Sequence, residues 1–238
     1  MHPFYTATGV AAVATATLVA ACSNDPSSPE YDPDIPGVWA SAVSNQYYPL
    51  VPGTTYHFQG ESPEGLETIT TEVLPQTKTI QGVVATIVHD RAFLDGELIE
   101  DTEDWFAQDE DGNVWYLGED TKEYEDGQVV STAGSWEWGV DGALPGIIMW
   151  ADPAAHVGEE YRQEFAHGEA EDFGEVVSLD EDVDVPEGTF AGCVKTEDTS
   201  ALEPGLRENK YYCPNVGLTL ETNPEGDERV ELENITGS

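Results

Sequence analysis

Between His89 and Asp141 the chain carries Asp-Gly four times at nearly even spacing, at Asp95-Gly96, Asp111-Gly112, Asp126-Gly127 and Asp141-Gly142. Glycine takes the positive φ that a type I′ turn demands and aspartate tolerates it, so each pair is a strong hairpin signal. Intervals of about 15 residues leave room for two strands of ordinary length between turns. No segment sustains a helical apolar period. The expected fold class is all-β: a strongly curved antiparallel meander, a half-barrel or open barrel.

The flanking sequence alternates in the same way. A first strand at Thr54 to Gln59 sets Tyr56 and Phe58 against Thr55 and His57; a second covers Thr68 to Leu74 and a long third covers Thr79 to Phe93. In the third, Val83, Ala85 and Ile87 lie on one face and Val84, Thr86 and Val88 on the other, which places it centrally or against a second layer. If each Asp-Gly closes a two-residue hairpin, Ala85 pairs with Phe106, Ile87 with Asp104 and His89 with Thr102. Phe106 then pairs with Leu117, Gln108 with Trp115, Leu117 with Trp136 and Trp115 with Trp138. One face collects Phe106, Trp115, Leu117, Trp136 and Trp138, with His89, Asp104 and Gln108 among them. This mixed lining suits an apolar or aromatic ligand, and equally suits core under a second layer. A single bulge shifts part of the register and flips the side chains beyond it. Leu144 to Trp150, flanked by Pro145 and Pro153, suits a central strand poorly. It is expected as an apolar loop or short helical turn covering an open end of the sheet, or as a buried connection.

Residues 1 to 21 carry no Lys, Arg, Asp or Glu, and their small, apolar run ends at Cys22. The run is too short and too rich in Ala and Thr for a membrane span, and reads as an export signal. Leu18-Val19-Ala20-Ala21-Cys22 resembles the bacterial lipobox. The resemblance implies that Cys22 is diacylated and becomes the mature N-terminus, anchored in the cell envelope and facing the periplasm or exterior; an ordinary signal peptide is the alternative. Residues 22–46, rich in Pro, Ser and Asp, read as a disordered tether ahead of a β domain at 47–238.

Acidic residues outnumber basic ones 48 to 8, for a formal charge of −40. Such a field repels nucleic acid, excludes it as a partner, and resists compaction until salt screens it. The acidic surface is either a solvated exterior or a weak divalent-cation binder. The three cysteines and five histidines show no CxxC, HExxH or other ligand spacing, so no cofactor or metal site is indicated. Asp109, Asp111 and Asn113 miss the EF-hand spacing and fit a hairpin turn. Ser135 is not in a nucleophile elbow, and no catalytic residue stands out. If a last hairpin turns near Glu203, Cys193 and Cys213 face each other. In an exported protein that position predicts a disulfide, with two buried thiols as the alternative.

Two stretches carry a family resemblance. Tyr48-Pro49-Leu50-Val51-Pro52-Gly53-Thr54-Thr55-Tyr56 is similar to the start, and Val185 to Phe190, Cys193 to Lys195 and Tyr211 to Leu218 resemble the closing hairpin, of bacterial exported lipoproteins related to the LolA-like or LppX-like open β-sheet. The resemblance implies a curved antiparallel sheet that can hold a lipid or other apolar ligand on its concave face, and carries over no functional residue. Three functions follow as expectations: a lipid-anchored, non-catalytic binding protein; an acidic structural or adhesive surface protein that binds divalent cations; and a carboxylate-dependent glycan hydrolase.

Overall fold

In a computed structural model, which describes residues 31–62, 64–225 and 228–237, three of the four Asp-Gly pairs make the expected turn. Asp95-Gly96, Asp126-Gly127 and Asp141-Gly142 take φ between 49° and 86° at both positions. At Asp111-Gly112 only the glycine is positive, at 97°. There Asp109 closes the loop, accepting from the backbone N and from Nδ2 of Asn113 at 2.8 Å each. A further turn at Gln81-Gly82, with φ 48° and 85°, divides the strand read at Thr79 to Phe93. The signal segment at 1–21, Cys22 and the tether up to Glu30 lie outside the described residues.

An opening hairpin pairs β1 (Ser44–Asn45) with β2 (Tyr48–Pro49). The meander follows as β3 (Thr54–Ser62), β4 (Gly65–Ile80), β5 (Val83–Leu94), β6 (Glu97–Gln108) and β7 (Val114–Glu125), with the short β8 (Gln128–Ser131) and β9 (Trp136–Glu137) both laid on β7. Next come β10 (Leu144–Met149), a 3-10 turn at Pro153–His156, β11 (Glu160–Arg162) and β12 (Glu164–Phe165). The chain ends with β13 (Asp172–Val185), β14 (Gly188–Ser200), β15 (Glu208–Cys213), β16 (Gly217–Thr222) and β17 (Arg229–Gly237). All except β1 and β2 join one antiparallel sheet, in the order β11-β13-β14-β15-β16-β17-β3-β4-β5-β6-β7-β10-β12.

The sheet curls into a nearly closed barrel with one unsealed seam. At the seam, one short segment pairs with β13 through β11 and with β10 through β12, changing partner at Gln163. Glycines let the neighbours approach it: a Cβ on Gly146 would stand 2.4 Å from the Gln163 carbonyl carbon, and one on Gly174 2.8 Å from its Nε2. The segment read as a covering loop is thus strand β10. Pro145 is tolerated because pairing with β7 begins only at Gly146, so that ladder does not need its missing N–H. Cys193 and Cys213 lie at disulfide distance, their Cα atoms 4.1 Å apart, on the β14–β15 register that sets Val194 opposite Tyr212.

Residues 33–46, read as the end of the tether, instead belong to the compact unit that starts at Pro33. The Trp39 ring packs between Trp115 and Trp138, with centroids at 6.0 and 6.3 Å, and Ala40 N donates to Gln108 O at 2.8 Å. Asn45 Nδ2 donates to Gly112 O at 2.9 Å and Gln46 O accepts from Asn215 N at 2.7 Å. The β1–β2 hairpin therefore reaches from the β6–β7 loop to the β15–β16 turn and closes one end of the barrel. Unlike the Pro- and Ser-rich residues before it, this stretch carries Ile35, Trp39 and Val43, which give it enough apolar surface to dock.

Two bulges decide which side chains face inward. Next to Asp95-Gly96 the register is as expected, with Leu94 opposite Glu97, but it slips at Ile99 and brings Thr86 opposite Phe106 and Ile87 opposite Trp105. Between β6 and β7, Asp104 faces Glu119; the two residues Leu117 and Gly118 then oppose Trp105 alone, and Phe106 pairs with Tyr116. Trp136 lies opposite Glu119, and Trp115 lies opposite Ile147 of β10. The expected Phe106–Leu117, Leu117–Trp136 and Trp115–Trp138 pairs are not formed. One face buries Val83, Ala85, Ile87, Trp105, Trp115 and Leu117 under Ile35, Trp39 and Trp138. The opposite face holds Phe106 and Tyr116.

Gly118 has φ 135°, and a Cβ there would meet Trp136 O at 2.3 Å and Glu137 Cα at 2.8 Å. Gly118→Ala is therefore expected to cost roughly 3 kcal/mol or more, from strain and overpacking together. Gly127→Ala, with φ 71° and no atom within 4 Å of the new Cβ, should cost only about 1 to 2 kcal/mol. Urea unfolding midpoints compare the two, and equal costs would contradict the bulge's role.

Candidate functional site

The inner face is defined by rings that meet across the barrel. Tyr48, carried inward by β2, contacts Phe106 of β6 at 5.3 Å and Tyr212 of β15 at 5.9 Å. Those two strands are far apart in the sheet order, so they face each other only across the interior. Phe106 stacks on Tyr116 at 4.8 Å and 17°, and Tyr116 meets Trp136 edge-on at 5.4 Å. All five rings are buried.

Carboxylates stand among and beyond these rings. Tyr116 Oη bonds to Asp104 Oδ1 and lies 3.0 Å from Glu119 Oε2, while Trp136 Nε1 donates to Glu164 Oε2 at 2.8 Å. Burial, with Asp104 adding to it, pushes Glu119 up to about 7. Burial and then Asp104 hold Asp90 well above the usual aspartate range, and burial and then Glu119 do the same for Glu164. A phenol has one proton to give. The Tyr116 hydroxyl therefore donates to Asp104 or to Glu119 one at a time, and its bond to Glu119 works against the upward push of burial on that carboxyl. On the opposite wall Lys210 Nζ lies 3.2 Å from Asp198 Oδ2 and 3.7 Å from Glu208 Oε2. Burial works against its charge, but Asp198, Glu221 and Glu208 outweigh it and hold the ammonium well above its usual range.

Thr196 Oγ1, Asp198 Oδ1 and Tyr212 Oη of this face have no hydrogen-bond partner although they are shielded from solvent, while Asp90 bonds to Thr71 and to the Asp104 carboxyl, so that the two acids share a proton. Among the described residues no group of three or more His, Cys, Asp or Glu side chains is arranged to hold a metal ion.

The candidate residues read from the sequence are divided between the two faces. Asp104, Phe106 and Trp136 lie on the inner face. Gln108 shares it at the closed end, where its Oε1 accepts from Ser44 N at 2.7 Å. Trp115, Leu117 and Trp138 belong to the opposite, covered face. His89 also points away from the interior, its Nε2 3.1 Å from Asp101 Oδ1. Sequence reasoning missed Tyr48, Asp90, Tyr116, Glu119, Glu164 and Tyr212. Tyr116 and Glu119 flank the Gly118 bulge, and the Gly in an otherwise regular strand was the available signal. Comparison with protein-family models, curated proteins and solved structures gave no match for this chain.

Glu119 and Glu67 keep their protons up to about 7 in the fold, against an ordinary value of 4.5. Between those values the native state binds more protons than the unfolded chain, so this stability is complete below about 4.5 and is lost as pH rises through about 7. The melting temperature is expected to rise on acidification from about pH 8 to about pH 5, and to do so even in about 1 M monovalent salt, where surface repulsion is screened. Glu119→Gln should flatten part of the profile. A pH-independent melting temperature at high salt would contradict this.

Proposed function

We propose that the chain is a lipid-anchored, non-catalytic extracytoplasmic binding protein that holds a small apolar or aromatic ligand inside the curled sheet. One observation carries the reading: five aromatic rings converge on an interior that buries the paired carboxyls of Asp90 and Asp104 and leaves Thr196 Oγ1 and Tyr212 Oη without a partner. Protein interiors pair nearly all their buried polar groups. Apolar walls with a few convergent polar atoms left over are the usual composition of a ligand site. Asp104, Phe106, Gln108 and Trp136 remain in the proposed site; Trp115, Leu117 and Trp138 are left out because they lie on the covered face, and His89 because it points away from the interior. The anchor reading is supported by Leu18 to Cys22 and by the Pro- and Ser-rich residues before Pro33.

Binding of a neutral aromatic probe such as naphthalene, followed by tryptophan fluorescence, is expected to weaken at least about ten-fold in Phe106→Ala, which removes a wall of the site. Trp115→Ala should instead cost about 3 to 5 kcal/mol of stability, as core truncations do, and leave the probe's affinity unchanged in the folded fraction. The reverse pattern would overturn the placement of the site. For the anchor, Cys22→Ala is expected to move the protein from the membrane to the soluble fraction, and unchanged membrane fractionation would contradict it.

A further inference from the structure

Position along the strands sorts the inner face by chemistry. The rings of Tyr48, Phe106, Tyr116 and Tyr212 lie toward the end closed by the β1–β2 hairpin. Two residues further along, register sets Val88, Asp104 and Glu119 in one row, and Asp90 stands in the next, opposite Thr102. At the far end Glu67, Glu100 and Glu221 gather, close enough that the latter two add to the burial that pushes Glu67 up to about 7. The far end is thus rimmed by carboxylates, which concentrate cations at the mouth and repel anions.

The two walls of the interior are not equivalent. The β14–β16 wall has its own ammonium: Lys210, with its side chain 6% exposed, is set between Asp198 and Glu208. Lys210 is the only Lys or Arg that register places on the inner face among the described residues. The β5–β7 wall, with Glu164 of β12, has Asp90, Asp104 and Glu119 and no basic side chain of its own. Asp104 is 1% exposed; its Oδ2 and Oδ1 of Asp90 meet no basic group, and the two carboxyls bond to each other through a shared proton.

We propose that this second wall binds an organic ammonium ion with a small aromatic or apolar body, the ammonium on Asp104 and the body against Tyr48 and Phe106. The inference rests on the binding reading and narrows it to a ligand class. Lys210 shows how the same interior holds an alkylammonium: two carboxylates and a neighbouring tyrosine. An incoming ammonium finds the same groups beside Asp104, together with ring faces whose negative quadrupole attracts cations. An ammonium can replace the proton that Asp90 and Asp104 share, whereas a neutral ligand of the same shape leaves that pair as it is, and that difference sets the preference. The described residues offer no three-ligand group for a metal ion, which favours an organic cation over calcium.

The test titrates the full chain with phenethylamine and with its neutral counterpart 2-phenylethanol, by calorimetry and tryptophan fluorescence. The amine is expected to bind at least about ten-fold more tightly, the worth of one charge-assisted hydrogen bond in a buried site. Asp104→Asn and, separately, Glu164→Gln should reduce that preference while 2-phenylethanol still binds, which also reports that each variant is folded. Equal affinity for amine and alcohol would overturn the ammonium inference and leave the binding reading standing. Saturable binding of neither compound would overturn both. Displacement of the amine by calcium at equal concentration would reassign the wall to metal.

Discussion

The internal arrangement of this protein depends on one backbone constraint, the bulge at Leu117-Gly118. A strand side chain faces one side or the other according to its position in the register, so one extra residue in β7 exchanges the two faces for everything on one side of it. Because of that residue, Phe106 and Tyr116 share a face with Asp104 and Glu119, and Trp115 and Leu117 share the other with Trp105 and Ala107. Only glycine fits. The φ of 135° and the approach of β9, whose Trp136 O would stand 2.3 Å from a Cβ, exclude any side chain. The slip at Ile99 makes the companion change between β5 and β6, so that Asp90 and Asp104 end on the same side as the rings.

Local chemistry made part of this legible in advance. Asp-Gly specifies its own dihedrals, and the mirror positions of Cys193 and Cys213 about Glu203 correspond to the observed pairing of Val194 with Tyr212. What depends on more than a few neighbouring residues was not legible. Nothing around Ile99 announces an extra residue, and Gly118 marks a place for a bulge without fixing the register beyond it, so the expected aromatic face was a mixture of two. Gln81-Gly82 makes the same turn as the Asp-Gly pairs with a residue that lacks aspartate's turn preference. The pairing of β17 with β3, which brings the ends of the domain together, is a contact between segments at the two extremes of the chain that periodicity does not contain. The docking of residues 33–46 turns on Ile35, Trp39 and Val43, which an average over the whole of residues 22–46 hides.

The two faces of the β5–β7 sheet solve different problems. Indoles and aliphatic chains fill the outer one, closed by Trp39 and Trp138, and Lys78 Nζ lies 3.1 Å above the Trp105 ring while pairing with Glu137 at 2.8 Å. That face accounts for much of the apolar burial the fold needs. The inner face buries carboxyl groups at a cost that appears as the raised proton affinities of Asp90, Glu119 and Glu164. Acids in that position add nothing to stability, and the proposed cationic ligand is what would give them a role. The acidic exterior and the acidic interior are thus distinct: the first is satisfied by solvent and salt, the second by Tyr116, Trp136 and Lys210 and by the protons its carboxyls retain.

The central claim is that ligand binding belongs to the inner face and not to the tryptophan-rich outer one. The six tryptophans can be replaced with 5-fluorotryptophan and resolved by fluorine NMR, with assignment by single Trp→Phe variants. On titration with phenethylamine, the Trp136 signal is expected to shift in a saturable manner while those of Trp115 and Trp138 stay in place. Saturable shifts of Trp115 and Trp138 with Trp136 unmoved would contradict the account.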